Sequence, residues 1–278
     1  MAKKINIALV GNPNSGKSSL FNVLTGLNQK VGNFPGVTVD KKTGQCAISE
    51  TLSATLIDLP GTYSLYPKRA DEWVAYKVLL QQDEDIKPDM VLLVADASNL
   101  KRNLLFCSQI IDLKVPVVLA LSMMDLAGNK GTQIDIAGLE RELGVPVVSI
   151  NQRKGKGIPQ LKKIIDQTAV NHIAAPREFI NSLGLAESSV AGVKKLFPAI
   201  SNYTALHYLI NHEHFKLGAS IQDSIEAIEE ENKFNPTRTQ AEEIMQRYGR
   251  IKQIMQVTVV ESDPLKKALF TEKLDNIL

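Results

Sequence analysis

The chain has 278 residues, 44% of them hydrophobic, with 32 Lys and Arg against 30 Asp and Glu, a formal net charge of +2. That length suits one large or two modest domains with ample apolar material for a core, and the near-neutral charge gives no electrostatic pointer to nucleic acid. Two distant cysteines, Cys46 and Cys107, with no C-x-x-C, argue for a reducing compartment and against a zinc site. The apolar part of "MAKKINIALVG" is too short for a signal peptide, and the longest apolar run, "VPVVLALSMM", is about half a membrane span, so a soluble chain is expected.

In chain order, "KINIALV", "TLIDL", "DMVLLVAD", "VPVVLAL" and "VPVVSI" are short, nearly continuous apolar runs. Such runs suit strands buried on both faces of a parallel sheet. Helical periods fall between and after them, over Lys17–Leu27, Ala70–Gln82, Leu100–Leu113, Asp135–Leu143 and Gly157–Ala169. "TGQCAIS" before "TLIDL" reads as an extra strand paired as a hairpin. This alternation predicts an open α/β sheet whose ligands lie beyond the carboxyl ends of its strands. Thirteen of the 17 glycines lie in residues 1–170, which carry +4, while residues 171–278 carry −2 and lack long β-branched runs. The second part reads as helices in "VAGVKKLF", "YTALHYLINHEHFK", "SIQDSIEAIEEE", "TQAEEIMQRYGRIKQIMQ" and "PLKKALFTEKLDNIL", with apolar residues at three- and four-residue spacing. The expected division is therefore 1–170 and 171–278, at "NHIAAPREF" with Pro176 as the break.

The segment "GNPNSGKSSLF" supplies Gly11-x-x-x-x-Gly16-Lys17-Ser18 between a strand and a helix, the context a phosphate-binding loop needs. Backbone N–H groups from Gly11 through Asn14, Ser15, Gly16 and Ser19 would wrap phosphates, aided by the helix N-terminus. Lys17 would reach the β- and γ-phosphates, and the Ser18 hydroxyl would ligate Mg²⁺. Asp58-Leu59-Pro60-Gly61 ends a strand, so Asp58 can hold the same Mg²⁺ through water and the Gly61 N–H can meet a γ-phosphate. Between the two motifs, "GNFPGVTVD" offers Gly36, Val37 and Thr38 on a loop that Gly32 and Gly36 loosen, with the Thr38 hydroxyl aimed at Mg²⁺.

"LALSMMD" then selects the base. Asp125 follows a buried strand, where a carboxylate accepts both N–H donors on the guanine edge, a pair that adenine lacks. GTP-binding proteins usually carry N-[KM]-x-D here, and this chain has Ser122 in the first place and Met123 against the base. Ser149-Ile150-Asn151 ends the last strand where a second base-facing segment is expected.

These motifs resemble one family. "GNPNSGKSSLFNVLTGLNQKVGNFPGVTVDKKTG", "IDLPGTYSL" and "MMD" are similar to the cytosolic GTPase of the bacterial ferrous iron transport protein B family, over residues 3–170. The resemblance implies a P-loop GTPase (Ras-like) sheet with flanking helices followed by a small all-α domain that acts on nucleotide release. It implies slow GTP hydrolysis to GDP, with Lys17, Thr38 and Gly61 at the γ-phosphate, coupled to Fe²⁺ uptake through a membrane region of a longer chain. The ending "LFTEKLDNIL" resembles the segment before that family's first membrane helix, which implies the cytoplasmic face of the bacterial inner membrane. Asn14 matches an asparagine that helps hold K⁺ beside the phosphates in potassium-activated GTPases, with the carbonyls of Gly32 and Phe34 completing the site by analogy. Read without the resemblance, Asn14 is a turn residue, as Asn12 remains. The family usually shows Trp and Asn where Phe34 and Ser122 stand, and Thr62 follows Gly61 where many GTPases keep a glutamine.

The rival reading is a soluble regulatory or RNA-binding ribosome-assembly GTPase. It would call for a basic or G-x-x-G-bearing appendage, which residues 171–278 lack; a homo-oligomer is compatible with either reading. His207, His212 and His214 do not stack on one helix face and read as solvated, as does the charged run Glu229–Glu231. Lys68 and Arg69 fall in the second switch, with a cis arginine finger the minor reading, and Trp73 and Tyr76 read as packing residues.

Overall fold

A computed structural model describes residues 3–27, 29–34, 39–83, 86–171 and 177–261. The sheet half runs β1 (Lys3–Gly11), α1 (Lys17–Thr25), β2 (Gln29–Asn33), β3 (Asp40–Ala47), β4 (Leu52–Asp58), α2 (Ala70–Leu79), β5 (Met90–Asp96), α3 (Leu100–Asp112) and β6 (Val117–Ser122). It continues through α4 (Met124–Asn129), β7 (Thr132–Ile134), α5 (Ile136–Leu143), β8 (Val147–Ser149) and α6 (Ile158–Asn171). The rest is α7 (Glu187–Leu196), α8 (Asn202–Asn211), α9 (Ala219–Glu231), α10 (Pro236–Thr258) and β9 (Val259–Glu261).

Seven strands form one sheet in the order β2-β3-β4-β1-β5-β6-β8. β1 runs parallel to β4 on one side and β5 on the other, whereas β3 is antiparallel to both β4 and β2. The expected hairpin before "TLIDL" is thus β3–β4, extended by β2. The side chains of β1 divide by alternation. Ile5, Ile7 and Leu9 join Leu20 and Phe21 of α1 and Leu161 and Ile165 of α6 in one apolar core. Ala8 and Val10 face the other way, into a core shared with α2, α3 and α5.

That second core does not stop at the sheet half. It runs without a break into Tyr203, Leu206, Ile225, Ile251 and Ile254 of the helical half. The break expected at Pro176 lies outside the described residues, as does the helix expected in "PLKKALFTEKLDNIL". β9 at the end of α10 returns to pair antiparallel with β7, so the chain's second part is stitched back onto its first.

α10 starts at Pro236, three residues before the expected stretch that opens at Thr239, because Asn235 caps it by accepting from Arg238 N at 2.9 Å and Pro236 suits the first turn. It buries Glu243, Arg247, Ile251, Ile254 and Thr258, a single stripe at helical spacing, against α3. The stripe carries charge into the core. Arg247, wholly buried, pairs with Glu243 on its own helix and with Asp112 of α3 at 2.8 Å, and donates to the Ser108 carbonyl at 2.8 Å. Asp112 in turn accepts from the Phe179 and Ile180 N–H groups. Burial raises the Asp112 carboxyl above its ordinary value, and the Arg247 charge works against that rise.

Removing one member leaves the others buried and uncompensated. Arg247→Met should therefore cost about 3–5 kcal/mol in urea denaturation, and adding Asp112→Asn with Glu243→Gln should recover part of that loss.

Candidate nucleotide-binding site

The site grows from the carboxyl end of β1, the strand at which the sheet order reverses. Gly11 ends β1 in a place with no room for a side chain: a Cβ there would stand 2.4 Å from the Val94 carbonyl oxygen and 2.8 Å from Ser15 Oγ. The chain then turns, with Ser15 N donating to the Asn12 carbonyl at 3.1 Å and Asn14 in the left-handed region at φ 64°. Gly16 caps α1 at φ 91°, a conformation that disfavours any side chain. The first amides of α1 have no acceptor within the helix and face a cleft of about 540 Å³. Asn12, Pro13, Asn14, Gly16, Lys17, Ser18, Ser19 and Gly61 line it, together with Met123, Arg69 and Asp71. Asn12 Nδ2 and Ser15 Oγ are buried there without a hydrogen-bond partner.

Parallel pairing places Asp58 beside Leu9 at the same edge, where its carboxylate forms an ion pair with Lys17 Nζ. The segment after it follows the loop closely. Leu59 N donates to the Leu9 carbonyl at 3.1 Å and Thr62 N to the Gly11 carbonyl at 3.3 Å. Gly61 packs so near Pro13 that a Cβ would lie 3.1 Å from its nitrogen. The Thr62 hydroxyl donates to the Ser64 carbonyl at 2.8 Å, inside its own turn. Arg69, at the mouth of α2, is held by Asp71 at 3.0 Å and Glu72 at 3.6 Å.

On the base side, Ser122 lies behind the loop, wholly buried. Its one hydroxyl proton has two carbonyl acceptors, Ser15 at 2.6 Å and Ala95 at 3.1 Å, so it clips the phosphate loop to the end of β5. Met123 follows at φ 57° and borders both the phosphate cleft and a smaller one of about 130 Å³. That smaller cleft takes in Asp125, Asn151, Gln152 and Arg153, and shares Gly16 and Ser19 with the larger. Asn151 Nδ2 donates to Asp125 Oδ2 at 3.3 Å, and Asn151 Oδ1 caps the next turn through Lys154 N at 3.1 Å. Ser149 ends β8, whereas Ile150 is a core residue, 2% exposed, with its N–H on the Leu121 carbonyl. Gln152, which donates to the Gly16 carbonyl at 3.2 Å, and Arg153 escaped the sequence reading. Their signal was a polar turn directly after the last sheet strand.

The loop expected over "GNFPGVTVD" lies only partly among the described residues. Gly32 lies on the edge strand β2, three strands from β1 or about 14 Å at normal strand spacing. Phe34, 2% exposed, belongs to the apolar core. Gly36, Val37 and Thr38 lie outside the described residues. The histidine expectation needs correction. His207 is fully buried, pushed down to about 3 by burial, and its Nδ1 lies 3.1 Å from Tyr76 Oη; His212 is 4% exposed. The single-face spacing argument ignored the helices that cover this segment from outside.

A family model described as Ferrous iron transport protein B matches residues 5–165. The chain belongs to this family. The Fe(2+) transporter FeoB of Leptospira biflexa is 47% identical over 165 residues, which are 59% of this chain and 23% of that protein. The chain thus spans about a quarter of that relative's length. The cytosolic domain of the T. maritima FeoB iron transporter in its apo form superposes with a TM-score of 0.76 at 30% identity, covering 93% of this chain and 100% of that one. A GDP-bound variant of the S. thermophilus FeoB G-domain gives 0.70 at 32% identity, with 92% and 100% covered. This FeoB-family chain therefore has the P-loop GTPase sheet, with its helical portion in place.

Ser122 supplies a sharp check on the loop's anchoring. Ser122→Ala strands the Ser15 carbonyl in a buried position and should lower the urea stability by about 1–2 kcal/mol at unchanged slope.

Proposed function

We propose that this chain binds GTP and GDP with Mg²⁺ and hydrolyses GTP to GDP and phosphate. The observation that carries the reading is a pair of adjoining clefts that share Gly16, Ser19 and Met123, one on the phosphate loop and the other on the Asp125–Asn151 pair. GDP-bound relatives of the same fold support it.

The residues perform separable tasks. Lys17 exchanges its Asp58 partner for the β- and γ-phosphates, so a charge already neutralised within the site is transferred rather than newly desolvated. The backbone N–H groups of Asn14 to Ser18 and of Gly61 surround the phosphates with fixed donors that need no reorganisation. Asp125 accepts from the guanine N1–H and exocyclic amine, and Asn151 holds its second oxygen in line. Met123 packs against the base plane. For Mg²⁺ the donor set fits, since Ser18 offers a hydroxyl and Asp58 a carboxylate at a spot that already holds the Lys17 cation. Mg²⁺ there would neutralise charge between the β- and γ-phosphates.

With Arg69 tied to Asp71 and Glu72 and no glutamine after Gly61, K⁺ beside Asn14 is the proposed source of further positive charge. Asn14 stands at the cleft, whereas Gly32 lies on the edge strand β2, so its carbonyl reaches such a cation only if that strand moves. In the full-length protein this activity would serve Fe²⁺ uptake through a membrane region; no helix among the described residues is long and apolar enough to cross a membrane.

Fluorescence titration checks the base. GTP and GDP should bind more tightly than ATP and ADP, and Asp125→Asn should weaken GDP by roughly 30- to 150-fold, about 2–3 kcal/mol for two charge-assisted hydrogen bonds. Equal binding of ATP and GTP by the parent chain would refute the guanine assignment.

Phosphate release assays check the cation. Hydrolysis should run faster in KCl than in NaCl at equal ionic strength, and Asn14→Ala should erase most of that difference. Equal parent rates in the two salts would remove K⁺ from the scheme.

A further inference from the structure

His212 follows α8 and opens a single 3₁₀ turn, His212–His214, that leads towards α9. Although 4% exposed, it has no hydrogen-bond partner for either ring nitrogen. Two carboxylates of α9 face it from opposite edges of the ring. Glu229 Oε1 lies 3.4 Å from Nδ1, and Glu226 Oε1 lies 3.8 Å from Nε2. Glu229 Oε1 is itself buried and unpartnered.

A neutral imidazole has one N–H and cannot serve two acceptors. One further proton resolves the conflict in either of two ways. The ring becomes an imidazolium that donates to both carboxylates, or Glu229 donates to Nδ1 while Nε2–H faces Glu226. Both forms hold the same number of protons and the same net charge. Burial first, then the charges of Glu213 and Glu226, raises the Glu229 carboxyl to about 7, so this proton leaves in the neutral range. The charged surroundings are Glu213 and His214 on the turn, Glu226 and Glu229 on α9, and Lys216 just beyond, which has a partner of its own.

We propose that His212 and Glu229 share one titratable proton that latches α9 to the 212–214 turn, and that the latch sets how this turn packs on α2. The turn is tied to α2 at both ends. Asn211 Nδ2 donates to Tyr76 Oη at 2.8 Å, and the His214 ring meets Trp73 edge-on at 4.3 Å. Loss of the proton leaves carboxylates on both edges of an uncharged ring, and α9 is pushed from the turn. Because the folded-state value of Glu229 lies above its ordinary 4.5, its stabilising contribution is complete below that value and is lost as pH rises through about 7. A consequence for nucleotide release, since α2 begins at the cleft, rests on the function proposed above; the latch itself does not.

Trp73 is the chain's one tryptophan, so its emission reports on this contact directly. The whole chain, without nucleotide, is titrated from about pH 5 to about pH 9. A single step with its midpoint near 7 is expected in the parent. Glu226→Gln should move the midpoint to lower pH, since one of the charges raising Glu229 is gone. Glu229→Gln should abolish the step, with circular dichroism confirming the fold. No step in the parent overturns the latch. So does an unchanged midpoint in Glu229→Gln, which would assign the step to a group outside the latch.

Discussion

The buried cluster of Arg247, Asp112 and Glu243 governs how the two parts of this molecule relate. Three charged groups with no exposure to water tolerate very few arrangements, because each must keep its partners or pay the full cost of desolvation. α3 and α10 are therefore held in one register. The cluster also reaches the second switch: Gln109 of α3 accepts from Leu65 N at 2.8 Å and donates to Glu243 Oε1 at 3.4 Å. A backbone amide three residues beyond Thr62 is thus two hydrogen bonds from α10. Apolar contact around it, continuous from Val10 to Ile254, supplies cohesion but little direction. Direction comes from the polar groups threaded through it.

The same division of labour appears at the phosphate loop. Its shape is enforced by exclusion, since neither Gly11 nor Gly16 can take a side chain, and by the Ser122 clip from behind. Its charge is balanced internally by Lys17 and Asp58. Under the proposed function, a nucleotide with Mg²⁺ would engage both halves of that pair at once, Lys17 at the phosphates and Asp58 at the cation. Either ligand alone would leave one charge of the pair without its partner. Joint binding of nucleotide and cation, as proposed, would keep both charges of this pair partnered.

Much of this was legible in the residues because the signals were local. The apolar runs gave β1, β4, β5, β6 and β8, and the glycine-lysine loop and Asp125 each lie on one of the two adjoining clefts. What escaped depended on partners remote in sequence. β2 is exposed at all five positions and has Val31 as its one large apolar residue, so no periodicity marks it, and β7 and β9 are three-residue strands defined only by each other. The base motif puts Ser122 in the place of its usual asparagine, yet the Ser122 hydroxyl is spent on Ser15 and Ala95. Ile150 was read as a site residue from position alone, although an isoleucine after "VPVVS" is ordinary core. His207 and Glu229 looked solvated until Tyr76 of α2 and His212 of the turn after α8 supplied their surroundings.

α2 is where these lines meet. Its N-terminus carries Arg69 and Asp71 into the phosphate cleft, its body is buried through Val74, Ala75 and Val78, and its outer side meets Asn211 and His214. The Glu72 carboxylate accepts from Lys68 N at 2.8 Å, so the first turn and the loop before it move as one piece. A displacement of α2 therefore cannot be absorbed within the second switch. Trp73 and Tyr76, which meet the 211–214 segment, lie within two turns of Arg69 and Asp71 at the cleft, so one short stretch of α2 serves both.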